Sequence, residues 1–159
     1  MPDIVRPIAI HAENASLRDL PDGFPTQLAS RMAARTKRPL GDPFGLTVFG
    51  VNLTRLAPGA WSMVHHKHKR QDEFIYVLEG TPVLVTDAGE TQLSPGMCAG
   101  FPAGGAAHHL ENRSSIDAVI LEVGDRTSGE EIVYPNDDVR AVLEPNGGWS
   151  FMHIDGSPL

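Results

Sequence analysis

Three of the seven histidines, His65, His66 and His68, fall within four residues, and Glu73 follows close behind them. On an extended strand alternate residues share a face, so His66 and His68 project together while His65 and Lys67 point the other way. Lys69-Arg70-Gln71-Asp72 suits a turn, after which Glu73 opens the next strand. An antiparallel pairing of the two strands would bring the Glu73 carboxylate beside both imidazoles. A fourth donor is available farther on, where His108 and His109 follow the bend Pro102-Ala103-Gly104-Gly105. Imidazole and carboxylate donors together suit Mn, Fe, Co, Ni or Zn. Four ligands saturate a tetrahedral zinc ion and favour a structural role. An octahedral Mn, Fe, Co or Ni ion would keep two adjacent positions open, for paired substrate oxygens or for O2 beside a substrate.

The elements that must position these side chains are short and extended. Sixteen glycines and thirteen prolines cut the 159 residues into strand-length segments, which predicts a sandwich or barrel. Strands are expected in Leu46–Leu56, Ala60–His68, Phe74–Glu79, Pro82–Leu93 (a hairpin about Asp87-Ala88-Gly89), His109–Ser114 and Asp117–Gly124. Only residues 26–35 have helical spacing, with Leu28 and Met32 on one side, Thr26 as a cap and Pro39 barring extension. Pro135 separates a strand-like piece from a helical turn in the tail, and Trp149, Phe151 and Ile154 suggest an edge strand. Three regions follow: an N-terminal extension (1–45), a β-barrel (46–125) and a C-terminal extension (126–159). In Phe74-Ile75-Tyr76-Val77-Leu78 both alternating sets are apolar, so the outer face of that strand is expected to be covered, by the leader or by a second subunit.

The motifs resemble those of the cupin superfamily. Residues 59–80, GAWSMVHHKHKRQDEFIYVLEG, are similar to its first motif, G-x5-H-x-H-x3,4-E-x6-G, with one extra residue between Gly59 and His66. Residues 96–112, GMCAGFPAGGAAHHLEN, are similar to the second, G-x5-P-x-G-x2-H-x3-N, with one extra residue before His108; Asn112 selects His108 over His109. Fifteen residues separate the motifs. The resemblance implies an all-β fold, a double-stranded β-helix or jelly-roll barrel, with an N-terminal extension containing one short helix. It implies one divalent transition metal per chain held by His66, His68, Glu73 and His108, and a homodimer. Much of the chain further resembles small bacterial cupins labelled sugar-phosphate isomerase-like.

A formal charge of −7 argues against a nucleic-acid partner. No stretch approaches a membrane span, no signal peptide is visible, and the single Cys98 allows no intrachain disulfide. The expectation is cytoplasmic residence and a small-molecule substrate. Three functions fit: a metal-dependent isomerase of hydroxy-carbonyl compounds, an Fe-dependent dioxygenase, and a non-catalytic ligand- or metal-binding cupin. No organic cofactor is implied. No catalytic base is marked by a motif, the weak candidates being Glu111, Tyr76 and His109. His65 and His109 are read as packing or supporting groups, Lys67, Lys69 and Arg70 as a solvated turn, and Cys98 as a small buried hydrophobe.

Overall fold

The computed structural model describes residues 5–159. Its strands run in chain order as β1 (Arg35–Pro39), β2 (Phe49–Leu56), β3 (Lys67–His68), β4 (Glu73–Glu79), β5 (Val83–Thr86) and β6 (Gly89–Gln92). They continue as β7 (Cys98–Phe101), β8 (His108–Glu111), β9 (Ala118–Asp125), β10 (Glu131–Tyr134), β11 (Val139–Leu143) and β12 (Trp149–His153). All pairings between them are antiparallel. One sheet has the order β1-β2-β9-β4-β7, a second β12-β11-β10-β3, and a third β6-β5-β8. This is the expected jelly-roll architecture. No described helix is long and apolar enough to cross a membrane.

The five-stranded sheet carries a gradient along its inner face. At one end Leu56 pairs with Ala118, and the next row sets Thr54, Ile120 and Val77 side by side. The following row is Asn52, Glu122 and Ile75, and the row beyond it is Gly50, Gly124, Glu73 and Phe101. The lower rows join Ala60, Leu84, Leu93 and Leu110 in one buried cluster. Each such side chain contributes about 1.5–3 kcal/mol on full burial. The upper rows carry polar groups, so chemistry is confined to one end of a barrel whose other end is packed.

A second cluster joins Phe24, Leu28 and Met32 of the leader to Val64, Ile132, Tyr134, Val139 and Ala141. Phe24 meets Tyr134 and Phe151 edge-on, at centroid distances of 6.3 and 5.4 Å. The expected helix over 26–35 is shorter. It comprises α1 (Thr26–Ala29) and one 3-10 turn (Ser30–Met32), with Pro25 rather than Thr26 at the cap position. Leu28 and Met32 are buried as the spacing predicts, but Arg35–Pro39 pairs with β2 along its whole length and takes the backbone out of the helix. Seven helical residues are too few to resist that competition. In the tail the expected helical turn is a hairpin instead: Asp138 turns the chain at φ 53°, and β11 returns along β10. Trp149 and Phe151 lie in β12, the edge strand, as expected.

The described residues of the leader do not cover the outer face of β4, and Phe24, Leu28 and Met32 pack on the other cluster. Phe74 (42%), Tyr76 (38%) and Leu78 (39%) remain exposed, as does Phe49 on β2. Phe74 is level with Val123 and Val51, and Tyr76 with Leu121 and Leu53, so the apolar surface is continuous over three strands. Cys98, opposite Tyr76 in register, is exposed and not buried as expected. Its strand lies at the sheet edge, and its side chain belongs to this outer face.

Gly80 closes β4 with φ 75°, and a Cβ there would lie 2.5 Å from the Asp117 carbonyl oxygen. Gly59 has a similar φ of 83° but open space around it. Gly80→Ala should therefore cost about 3 kcal/mol or more, and Gly59→Ala only about 1–2 kcal/mol. Paired urea denaturation curves check the difference.

Candidate metal centre

His66 and His108 face each other in an antiparallel bridge, each N–H donating to the other's carbonyl at 3.1 and 2.8 Å. Their rings stand 4.7 Å apart. His68 lies two residues on, in β3, held opposite Ile132 by β10. Glu73 does not reach them by pairing of its strand with β3, as the sequence suggested. β3 belongs to the four-stranded sheet and β4 to the five-stranded one, so the carboxylate arrives from the opposite wall. The turn Lys69–Asp72 makes that crossing. Glu130, fully buried, accepts the backbone N–H groups of Lys69, Arg70 and Glu131, and so pins the turn behind His68.

The result is a convergence on one atom. The Nε2 atoms of His68 and His108 lie 3.1 Å from Glu73 Oε2, and that of His66 lies 3.4 Å from it. The ligand atoms of His66, His68 and Glu73 all lie within 4.8 Å of one another. His66, His68, Glu73 and His108 are thus brought together as expected. Burial works against the ionised Glu73, yet the imidazoles of His108, His66 and His68 hold its carboxyl well below the usual carboxylate range. Burial pushes the His66 imidazolium down. It works against His68 too, but the hydrogen bond and charge of Glu73 prevail and raise it.

The donor set fits a cation. His66 Nδ1 is 2.8 Å from the Val64 carbonyl oxygen and donates to it, which leaves a lone pair on Nε2 of the neutral ring. That lone pair points at a carboxylate oxygen, an arrangement that repels unless a positive charge sits between them. The Nδ1 atoms of His68 and His108 are buried without a hydrogen-bond partner. Phe101 stacks flat on the His108 ring at 3.4 Å and fixes its plane. Such support is what a metal-binding histidine needs to hold its orientation.

On the opposite side of the same strands His65 and His109 form a separate buried pair. Their Nδ1 atoms are 2.9 Å apart, His65 Nε2 reaches Asp87 at 3.0 Å, and His109 Nε2 reaches Glu111 at 2.9 Å. Trp61 stacks on His109 at 4.2 Å. These contacts give His65 and His109 the supporting role read from the sequence. They also occupy Glu111 and His109, two of the three candidate bases, and the third, Tyr76, is on the outer face. Lys69 pairs with Glu131 at 3.0 Å, and none of Lys67, Lys69 and Arg70 lines the cavity described next. Asn112 stabilises its turn as expected, donating to the Leu56 and Ile116 carbonyls.

A cavity of about 210 Å³ opens beside His66, His68 and Glu73. Its wall includes Lys37, Asn52, Met63, Glu122 and Ile132, and its more exposed part includes Arg18 and Arg126. The two guanidinium groups share Asp42, each donating to one of its oxygens at 2.8 Å. Asp72 and Asp125 also line the cavity, but their carboxylates accept the backbone N–H groups of Ala103, Asp72 and Thr127. Sequence reasoning missed Lys37, Glu122 and the two arginines. No spacing marks them, since each stands alone on its own segment; the one available signal was the charge of Glu122 inside the apolar run AVILEVG.

Residues 52–124 match the cupin domain family. Among solved structures, a sugar phosphate isomerase from a cupin superfamily of Silicibacter pomeroyi is similar at 41% identity, over 95% of this chain and 96% of that one, with a TM-score of 0.88. A putative sugar phosphate isomerase from Acidithiobacillus ferrooxidans is similar at 29% identity, over 86% and 94%, with a TM-score of 0.72. A polyketide cyclase from Streptomyces resistomycificus, at 23% identity over 74% and 78% with a TM-score of 0.58, shares the fold. Among curated proteins nothing matches.

The metal-free protein should lose stability on both sides of the ordinary imidazole value of 6.5, for different reasons. His66 and His109 have folded-state values below it, so below pH 6.5 the unfolded chain binds more protons and acid destabilises. His68 has a raised value, and its contribution is complete below 6.5 and lost as pH rises through the folded value. Thermal melts of chelator-treated protein across roughly pH 5–8 check this. His68→Gln should flatten the alkaline limb and leave the acid limb.

Proposed function

The chain belongs to the cupin family, and from that premise we propose that it is a metal-dependent enzyme of the sugar-phosphate isomerase type, acting on a small hydroxy-carbonyl compound. The observation that carries this reading is the convergence of three imidazole nitrogens on Glu73 Oε2 beside a cavity of about 210 Å³. His66, His68, Glu73 and His108 would hold one divalent transition ion per chain. Bound there, the ion supplies Lewis acidity to polarise a carbonyl oxygen.

The remaining work falls to the protein. The cavity is small for a ligand site, which suits a compact polyol and excludes a polymer. Arg18 and Arg126, held at its exposed part by Asp42, suit a substrate phosphate, since each guanidinium has further N–H donors beyond those given to Asp42. One similar structure is described as a sugar phosphate isomerase and a second as a putative one, which favours the same substrate class here. The apolar surface of Phe49, Phe74, Tyr76 and Leu78 suits a second copy of the chain, because an apolar patch can meet itself about a two-fold axis.

Elemental analysis after reconstitution should find one equivalent of metal per chain, and His66→Ala/His68→Ala should abolish it. Anaerobic NMR with sugar phosphates should show aldose–ketose interconversion. Oxygen uptake dependent on iron would replace this reading with a dioxygenase, and tight ligand binding without turnover under any metal would replace it with a binding protein. Arg18→Ala/Arg126→Ala should raise KM for a phosphorylated substrate about tenfold or more and leave metal content unchanged. Light scattering should give a dimer mass that Tyr76→Glu reduces to a monomer mass.

A further inference from the structure

The cavity wall contains a buried ion pair that the metal ligands do not use. Glu122 on β9 is 4% exposed, and Lys37 on β1 places its Nζ 2.6 Å from Glu122 Oε2. Thr54 on β2 donates its hydroxyl to the same oxygen at 2.8 Å. Both contacts fall on Oε2, which leaves Oε1 as the oxygen available to the cavity that Glu122 lines. Glu73 pairs with Gly124 across β4 and β9, so Glu122 lies one step away on the same face, diagonal to the ligand carboxylate. Diagonal neighbours of this kind stand roughly 7–8 Å apart, room for a small substrate to touch both.

Packing does not explain the pair. Ile75, opposite Glu122 in register, and Ile120, two residues before it on the same face, are fully buried, and an apolar pair in place of Glu122 and Lys37 would avoid the desolvation of two charges. A second group points to the same occupant. Asn52, opposite Glu122 in register, lines the cavity with its Oδ1 buried and without a hydrogen-bond partner. Such an acceptor lacks only a donor, and a hydroxyl of a polyol is one.

We infer that Glu122 is the catalytic residue that moves the substrate proton between adjacent carbons, with Lys37 as its positioning residue and Asn52 as a hydroxyl acceptor. The assignment rests on the isomerase reading above. Glu122 takes the proton from the carbinol carbon next to the carbonyl; that C–H bond breaks as a carbon–carbon double bond forms and electron density moves onto the carbonyl oxygen. That oxygen gains the proton that the former carbinol hydroxyl gives up as it becomes the new carbonyl, and Glu122 returns its own proton to the neighbouring carbon. One C–H bond is broken and one is made, so no oxidant or reductant is consumed.

The test uses the metal-loaded full chain, wild type beside Glu122→Gln, Glu122→Asp and Lys37→Met, with metal content measured in each. Glycolohydroxamate, a planar analogue of an enediolate, is titrated by calorimetry, and exchange of carbon-bound hydrogen in D2O is followed by NMR on D-fructose 6-phosphate, D-ribulose 5-phosphate and dihydroxyacetone phosphate. Glu122→Gln should keep full metal, weaken hydroxamate binding about tenfold, and slow exchange about 10²–10⁴-fold at little change in KM. Glu122→Asp should recover part of both, and Lys37→Met should fall between. Wild-type affinity and exchange in a metal-replete, folded Glu122→Gln protein would overturn the assignment and leave the metal reading standing. A wild type that takes up no metal, or that loads metal yet exchanges no proton of any probe, would overturn the reading beneath it and this assignment together.

Discussion

Much of this structure depends on one carboxylate oxygen. Glu73 Oε2 faces three buried imidazole nitrogens, one of which presents a lone pair when its ring is neutral, because its other nitrogen donates to Val64. A cation relieves that arrangement, and the surrounding chain is organised to preserve it. Phe101 sets the plane of one ring, β10 holds the strand of another, and Glu130 anchors the turn that separates His68 from Glu73. The four side chains come from two facing walls, so the cluster forms only when the barrel closes.

The polar groups are tolerable because they are confined to one end. Along the five-stranded sheet the inner rows pass from Leu56 and Ala118 to Ile120 and Val77, and only then to Glu122 and Glu73. The packed rows keep the barrel rigid beneath charges that would otherwise cost more than they return. The His65–His109 pair obeys the same rule on the other side of the strands, where each ring is hydrogen-bonded to a carboxylate.

The grouping of His66, His68 and Glu73 was legible in the sequence because a strand's period of two and a turn of four residues fix relative placement locally. His66, His68 and Glu73 lie within eight residues, and the His108–Asn112 spacing marks the fourth member of the cluster. The wall that brings Glu73 was not legible, since nothing local to β3 says that its partner is β10. Lys37 and Glu122 were hidden for the same reason: 85 positions apart, they meet through the register of three strands, β1, β2 and β9. The helix over 26–35 failed where strand pairing overrode a periodicity that was itself correct. Cys98 failed because an apolar neighbourhood in sequence does not say which face of an edge strand looks outward.

The strand β1 has a further consequence. The segment shared with the cupin family contains His66, His68, Glu73, His108 and Glu122, but Arg18 and Lys37 come before it and Arg126 and Ile132 after it. The chain is thus a socket with a separate faceplate: the socket carries the clustered imidazoles and carboxylate, and the flanking segments supply the charged groups at the mouth of the cavity beside them. Two proteins with the same socket can differ in selectivity without altering a single ligand. A leader that reads as a mere extension, and that packs into a second core, is also one wall of that cavity.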